Sequence, residues 1–359
     1  MNVFHCENCN QLIFFENTVC IRCRQLLGFT PQQMRMQTFA ADAGDGTLIR
    51  MTDQSRYRYC ENSKHQVCNW VIPVEENEVY CKACQYNFRI PVLNDSNLEL
   101  WRKIEVAKHR LIYSLYRWNL VVPSREKEPE RGLAFDFLEE NESGKVVTGH
   151  SNGIITLDIA EADDSVRAKN RQMLNEPYRT LLGHFRHEIG HYLWNAFFFD
   201  PEARRNFRAY FGDESVDYEM SLEAHYQSVD KPDNWRQNYI SAYAASHPWE
   251  DWAETWAHYM HMVDTLETAY STAGNYMKQI NKDADPLLFD PYGEPDFERI
   301  IDSWFPLTYA VNSINRSMGL EDLYPFVLTD GVIEKLRFVH TVVQGIVLQG
   351  FSLPPALNQ

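Results

Sequence analysis

The chain has 359 residues, of which 44% are hydrophobic, 13% aromatic and 23% charged, and its formal charge is −16. This composition excludes wholesale disorder and collagen-like repeats, and the length suggests at least two domains. The excess of acidic residues argues against broad nucleic-acid binding, because an acidic surface repels a phosphate backbone.

No apolar run approaches the about 18 residues that a membrane-spanning helix requires. The N-terminal residues also lack the basic region and the apolar region of a secretory signal. We therefore expect a cytoplasmic protein without a membrane partner. In a reducing compartment, clustered cysteines indicate metal sites more than disulfides.

All eight cysteines lie before residue 85, and they form two quartets. The first quartet consists of two C-x2-C knuckles, whose thiolates can surround one ion in a tetrahedron: Cys6, Cys9, Cys20 and Cys23. We predict a first structural zinc at this quartet, with iron or a redox pair as the alternatives. The zinc would replace the hydrophobic core that so short a module cannot build.

The second quartet is less regular, because only its last two members form a C-x2-C knuckle: Cys60, Cys68, Cys81 and Cys84. We predict a second structural zinc here. His65 is a possible substitute for one thiolate, and an exchange of knuckles between the quartets is compatible with the spacing. Two roles of this cysteine-rich module stay open. The zinc ions serve folding alone, or the module also docks a protein or a nucleic acid.

A loop and helix cap at 94–97 precede apolar residues at helical spacing over 98–118, so we place the domain boundary near residue 95. Strand patterns follow at 133–138 and 154–159, and from about residue 161 the pattern is helical almost to the end. We predict an α+β protein. A tandem zinc-ribbon module (1–95) precedes a mainly α-helical, zincin-like domain with a small sheet (96–359).

An H-E-x-x-H motif lies at 187–191, within a segment of helical periodicity. Residues four apart share a helix face, so His187 and His191 can bind one zinc ion, while Glu188 can accept a proton from the attacking water. A catalytic zinc needs a third protein ligand. The metzincin pattern is excluded because Trp194 occupies its glycine position, which leaves a ligand from a later helix.

The segment 241–259 can supply that ligand. Pro248 suits the first helical position, with His247 as a possible cap. Glu250 then falls in the first turn, and Glu254 lies one turn later on the same face. Glu254, Asp251, His258 and His261 are the alternatives to Glu250 as the third ligand.

The chain resembles bacterial zinc-binding metallopeptidases with an N-terminal zinc ribbon, in the blocks 14–18, 68–70, 149–153, 157–163, 177–191 and 248–259. It is also similar to gluzincins, which implies that Glu250 is the third ligand and that Glu254 orients a ligand histidine. A closer similarity to lethal-factor-like gluzincins implies that Tyr243 stabilises the oxyanion. Core packing is the alternative role of Tyr243.

Together these observations predict a zinc endopeptidase with one catalytic and two structural zinc ions and a peptide or protein substrate. The ribbons are a possible docking site for another protein. The alternative is a zinc-ribbon adaptor, or a peptide- or nucleic-acid-binding protein, without proteolytic activity. The intact Glu188 favours the enzyme, since a pure binding protein does not need this residue.

Overall fold

A computed structural model describes residues 1–140, 146, 148–174, 180–227, 234–280, 289–351 and 353, without the side chains of 170–174, 234 and 273–280. The chain separates into two compact units. The first comprises Met1–Arg117, Pro123–Gly149 and Gly153–Arg167, and the second Trp118–Val122, His150–Asn152 and Ala168–Gln359. None of the helices in the described ranges is long and apolar enough to cross a membrane.

The N-terminal part of the first unit is made of short strands: β1 (Phe4–His5), β2 (Leu12–Ile13), β3 (Leu26–Thr30), β4 (Arg35–Ala41), β5 (Leu48–Arg50), β6 (Arg56–Tyr59) and β7 (Val71–Pro73). β1 pairs with β2, and the other five form an antiparallel sheet in chain order. One cluster of buried side chains in this sheet consists of Phe39, Leu48, Tyr57 and Val71.

The two knuckles of the first cysteine quartet are tight turns. The amide of Asn10 donates to the carbonyl of Cys6, and the amide of Arg24 donates to the carbonyl of Cys20. Asn10 and Arg24 have φ angles of 58° and 64°. Asn10 stands where zinc ribbons often have glycine, and asparagine tolerates this left-handed conformation better than most residues.

A second sheet and the helix α1 complete the first unit. The helix α1 (Asp95–Arg117) begins after Asn94, whose side chain accepts a hydrogen bond from the amide of Asn97. The strands are β8 (Asn87–Arg89), β9 (Ala134–Leu138), β10 (Gly149–Ser151), of which only Gly149 belongs to this unit, and β11 (Ile154–Asp158). β9 pairs in parallel with both β8 and β11. The predicted helix and both predicted strands are therefore present.

The second unit is mainly helical. After α2 (Asp164–Leu174), which begins in the first unit, its helices are α3 (Leu181–Phe197), α4 (Pro201–Phe211), α5 (Tyr218–Gln227), α6 (Pro248–Ile280), α7 (Phe297–Ser317) and α8 (Asp330–Gln349). Short 3-10 turns lie in the first unit at Glu61–His65, Cys84–Tyr86 and Ile159–Ala162, and in the second unit at Asn234–Gln237 and Ala244–Ser246. Small sheets followed by a helical body confirm the α+β prediction.

Helices α3 and α6 pack closely, which positions the H-E-x-x-H motif. A Cβ added at Gly190 would lie 3.1 Å from the Cα of Ala253 and 3.2 Å from Trp256, so only glycine permits this approach without movement. The indole of Trp252 donates to the carbonyl of Gly190 at 2.9 Å. Trp252 and Trp256 are fully buried and hold the two helices together.

The two compact units are not separated at residue 95, where the sequence suggests a domain boundary. The helix α1 begins at that boundary, yet it belongs to the first unit, as do the strands β9 and β11. Each compact unit combines several segments of the chain, so it does not test the division into a zinc-ribbon module (1–95) and a metallopeptidase domain (96–359). That division stays a prediction.

Candidate metal centres and active site

The H-E-x-x-H motif lies in the middle of α3, which begins after Thr180, whose hydroxyl accepts from the amide of Gly183 at 2.9 Å. Helical spacing places the two histidines on one face, with ring centroids 4.7 Å apart. The Nε2 atoms of His187 and His191 are 3.0 Å apart. Two imidazole nitrogens at this distance need a cation or a shared proton between them.

Glu250 lies in the first turn of α6, where Pro248 is the first residue and His247 Nδ1 accepts from the amide of Trp249 at 3.0 Å. Its Oε2 is 3.0 Å from His187 Nε2 and 3.3 Å from His191 Nε2. Ligand atoms that share a tetrahedral zinc with bonds of 2.0–2.1 Å lie about 3.3 Å apart. The three donor atoms therefore have the spacing of a zinc ligand set.

Unsatisfied polar atoms support a metal at this point. Oε2 of Glu250 is buried, and within the described part of the chain it has no hydrogen-bond partner. Burial alone would raise the pKa of Glu250, but the adjacent His191 and His187 hold it well below its ordinary value. A buried, ionised carboxylate opposite two imidazoles is a donor set that suits zinc.

Glu254, one turn after Glu250 on α6, contacts the other side of the first histidine. Its Oε1 is 2.8 Å from His187 Nδ1, and its Oε2 accepts from the hydroxyl of Ser241 at 2.7 Å. A carboxylate bound to Nδ1 fixes the tautomer that leaves Nε2 free for a metal. Burial would lower the pKa of His187, but Glu250 and Glu254 raise it well above its usual value.

Three of the alternative ligands on α6 are engaged elsewhere. Asp251 pairs with Lys335 at 2.6 Å. His258 contacts the hydroxyl of Tyr324 at 2.9 Å, and His261 contacts Arg186 at 2.6 Å. Within the described ranges, the grouping of possible metal ligands at this point consists of His187, His191 and Glu250.

Glu188, the acidic residue of the motif, is buried beside the two histidines. Its Oε1 is 3.2 Å from His184 Nε2, and its Oε2 has no hydrogen-bond partner among the described residues. Burial would raise the pKa of Glu188, but the hydrogen bond from His184 and the nearby imidazoles lower it to about 2. The carboxylate is thus ionised at neutral pH and can accept a proton.

Tyr243 precedes the short turn Ala244–Ser246 and lies beside the histidine pair, with its ring centroid 6.0 Å from that of His187. Burial, followed by the charge of Glu250, raises the pKa of Tyr243 far above its ordinary value. Its hydroxyl is therefore protonated at any physiological pH and can act as a hydrogen-bond donor.

Two further residues of the site carry no sequence signal. The hydroxyl of Tyr218, at the start of α5, donates to Glu250 Oε1 at 2.6 Å. The ring of Trp249 on α6 lies against that of His191 on α3, with centroids 4.0 Å apart. A single tyrosine or tryptophan has no characteristic spacing, so only the folded chain identifies them.

We expect Tyr218→Phe to weaken the binding of zinc at this site about tenfold, because the donor that orients the carboxylate of Glu250 is lost. Competition with a chromophoric chelator measures this affinity. Tyr210→Phe on α4 removes a hydroxyl from a half-exposed tyrosine and serves as the matched control. Equal affinities in Tyr218→Phe and the control would show that Tyr218 does not position Glu250.

The eight cysteines group in chain order. In the first quartet, Cys6 Sγ lies 3.6 Å from Cys23 Sγ, and Cys9 Sγ lies 3.6 Å from Cys20 Sγ. Thiolates that share a tetrahedral zinc are about 3.8 Å apart. In the second quartet, the sulfurs of Cys60, Cys68, Cys81 and Cys84 lie within 4.8 Å of one another.

An exchange of knuckles between the quartets is therefore not observed. The grouping of the second quartet, within the part of the chain that the structure describes, also does not include His65. The ring of His65 lies 5.8 Å from that of Trp101.

Comparisons with known proteins agree with both parts of the chain. Residues 97–342 match a family described as "Putative zinc-binding metallo-peptidase", and residues 3–95 match a zinc-ribbon domain. Uncharacterized proteins of Mycobacterium bovis and of two strains of Mycobacterium tuberculosis are 40% identical over 348 residues, which is 96% of this chain and 96% of each relative. No solved structure matches the chain. In the block 177–191, which carries part of the resemblance to zinc-binding metallopeptidases, residues 177–179 lie outside the described residues.

Proposed function

The chain belongs to the zinc-binding metallo-peptidase family, and from this premise we propose that it is a zinc endopeptidase of the gluzincin type. The observation that carries the proposal is the convergence of His187 Nε2, His191 Nε2 and Glu250 Oε2 at 3.0–3.3 Å. Two histidines and one glutamate leave one tetrahedral position of a zinc ion open, as catalytic sites require.

When bound, zinc supplies the Lewis acidity that polarises a peptide carbonyl and lowers the pKa of a water molecule. Glu188 accepts a proton from the attacking water and later gives it to the leaving amine. Tyr243 donates a hydrogen bond to the carbonyl oxygen, on which negative charge develops. Glu254 and Tyr218 hold the ligands His187 and Glu250 in their orientations.

We also propose two structural zinc ions, one in each cysteine quartet, so that the complete chain holds three. The sulfur distances of 3.6 Å in the first quartet support this number. A peptide or protein is the substrate, and the cytoplasmic location predicted from the sequence is part of the same proposal. The ribbons are available for docking a protein.

The experiment that tests the activity is hydrolysis of a mixed peptide pool by the zinc-loaded full chain in water enriched in oxygen-18. We expect new carboxyl termini that carry the solvent oxygen, because a peptidase adds water across the bond. A chelator should abolish the products, and added zinc should restore them. Peptides that bind to the chain without being cleaved would favour the adaptor function.

A further inference from the structure

The helix α1 presents an imidazole to the second cysteine quartet. His109 Nε2 lies 3.3 Å from Cys68 Sγ and 3.8 Å from Cys84 Sγ, and only 4% of the residue is exposed. An imidazole nitrogen and a thiolate that share a zinc ion lie about 3.5 Å apart. At the first quartet, the grouping of possible ligands among the described residues contains four cysteines and no histidine.

The hydrogen bonding of His109 directs Nε2 at the sulfurs. Its Nδ1 is 2.6 Å from the carbonyl oxygen of Glu105. A carbonyl oxygen can only accept, so Nδ1 carries the proton of this bond, and Nε2 is the ring nitrogen left to face a metal. Zinc-binding histidines are commonly held in this way, with one nitrogen bound to a carbonyl and the other facing the ion.

Other buried side chains surround the ring. The indole of Trp70 packs edge-on against His109 with centroids 5.2 Å apart. On the same helix, the carboxylate of Glu105 pairs with the fully buried Lys108 at 2.8 Å. The quartet with its four thiolates is complete without His109, so this imidazole is a fifth donor at a site that needs four.

We propose that His109 is a reserve zinc ligand, meaning a donor that takes the place of an adjacent thiolate when that thiolate is lost. The second site would then change from four cysteines to three cysteines and one histidine, and both compositions form stable tetrahedral zinc sites. The first site has no such donor in the described part of the chain. The second zinc is therefore more tolerant of thiolate loss than the first.

The test compares zinc content per chain in full-length variants. Cys68→Ala should keep the second zinc through His109, whereas Cys6→Ala should lose about one zinc ion per chain. His109→Asn keeps an N–H at the position of Nδ1 but has no atom at Nε2, so it removes the donor and preserves the bond to Glu105. His109→Asn alone should keep its zinc, and Cys68→Ala with His109→Asn should lose about one ion.

Cobalt substitution adds a spectroscopic readout. In Cys68→Ala the thiolate-to-cobalt absorption of the second site should fall by about a quarter, as four thiolates become three. Loss of the second zinc in Cys68→Ala, or its retention in the double variant, would overturn the proposal. If Cys68→Ala does not fold, zinc release from His109→Asn to a chelator decides, with release about tenfold faster expected and unchanged release contradicting the proposal. These readouts do not depend on peptidase activity.

Discussion

Replacing Glu188 by Gln is expected to reduce peptide hydrolysis by about 10²–10⁴-fold while the zinc content of the chain stays unchanged. Glutamine has the size of glutamate and can still bond to His184, but an amide does not accept the proton of the attacking water. One oxygen of the native carboxylate has no hydrogen-bond partner among the described residues and can accept that proton. The hydrogen bond from His184 and the nearby imidazoles, which lower its pKa to about 2, keep the group ionised at neutral pH.

The measurement is the initial rate of product formation from one peptide of the pool, together with zinc content by mass spectrometry. Glu202→Gln on α4 is the matched control, because it makes the same chemical change at an exposed residue away from the histidine pair. Full activity of Glu188→Gln would refute the proposed mechanism. A parallel loss of zinc would instead assign Glu188 a role in holding the site together.

Part of the site is predictable from the sequence because it is local. The two histidines and Glu188 lie within one and a half turns of a single helix, so their spacing alone determines that they share a face. The cap of α6 and its start at Pro248 are local in the same sense, and both are observed. The quartets are likewise recognisable, because a C-x2-C turn brings its two thiolates together without help from the rest of the fold.

Local rules do not determine which residue of the later helix joins the two histidines. Five candidates lie on one helix, and which of them faces α3 depends on how the two helices are rotated against each other. That rotation depends on packing, including the contact between Gly190 and Ala253 and the bond from Trp252 to a backbone carbonyl. Only the resemblance to gluzincins favoured Glu250 before the structure placed its Oε2 beside both Nε2 atoms.

Contacts between distant segments could not be predicted from the sequence, because they also depend on tertiary packing. Tyr218 reaches Glu250 from α5, and His109 reaches Cys68 from α1, although neither belongs to a motif. The pairing of the knuckles was also open, since cysteine spacing permits more than one set of partners. Each of these contacts is fixed by tertiary packing, which a one-dimensional pattern does not record.

Replacing Glu250 by Ala should remove one zinc ion of about three per chain and abolish cleavage, since two histidines alone hold zinc poorly. The double variant His187→Ala/His191→Ala should give the same count of about two. Glu254→Ala is the informative control, because it removes a carboxylate from His187 Nδ1 rather than a metal ligand. We expect it to keep its zinc with an affinity about 10–100-fold lower.

Mass spectrometry of the native chain and these variants under identical conditions gives the counts. Loss of zinc in Glu254→Ala with retention in Glu250→Ala would exchange the roles of the two glutamates. A count of two in every form, including the native chain, would mean that the histidine site binds zinc weakly or not at all. If added zinc did not restore the third ion, the protein would then be a zinc-ribbon adaptor. The cluster of His187, His191 and Glu250 would hold no zinc, and without zinc there is no activated water for Glu188 to deprotonate.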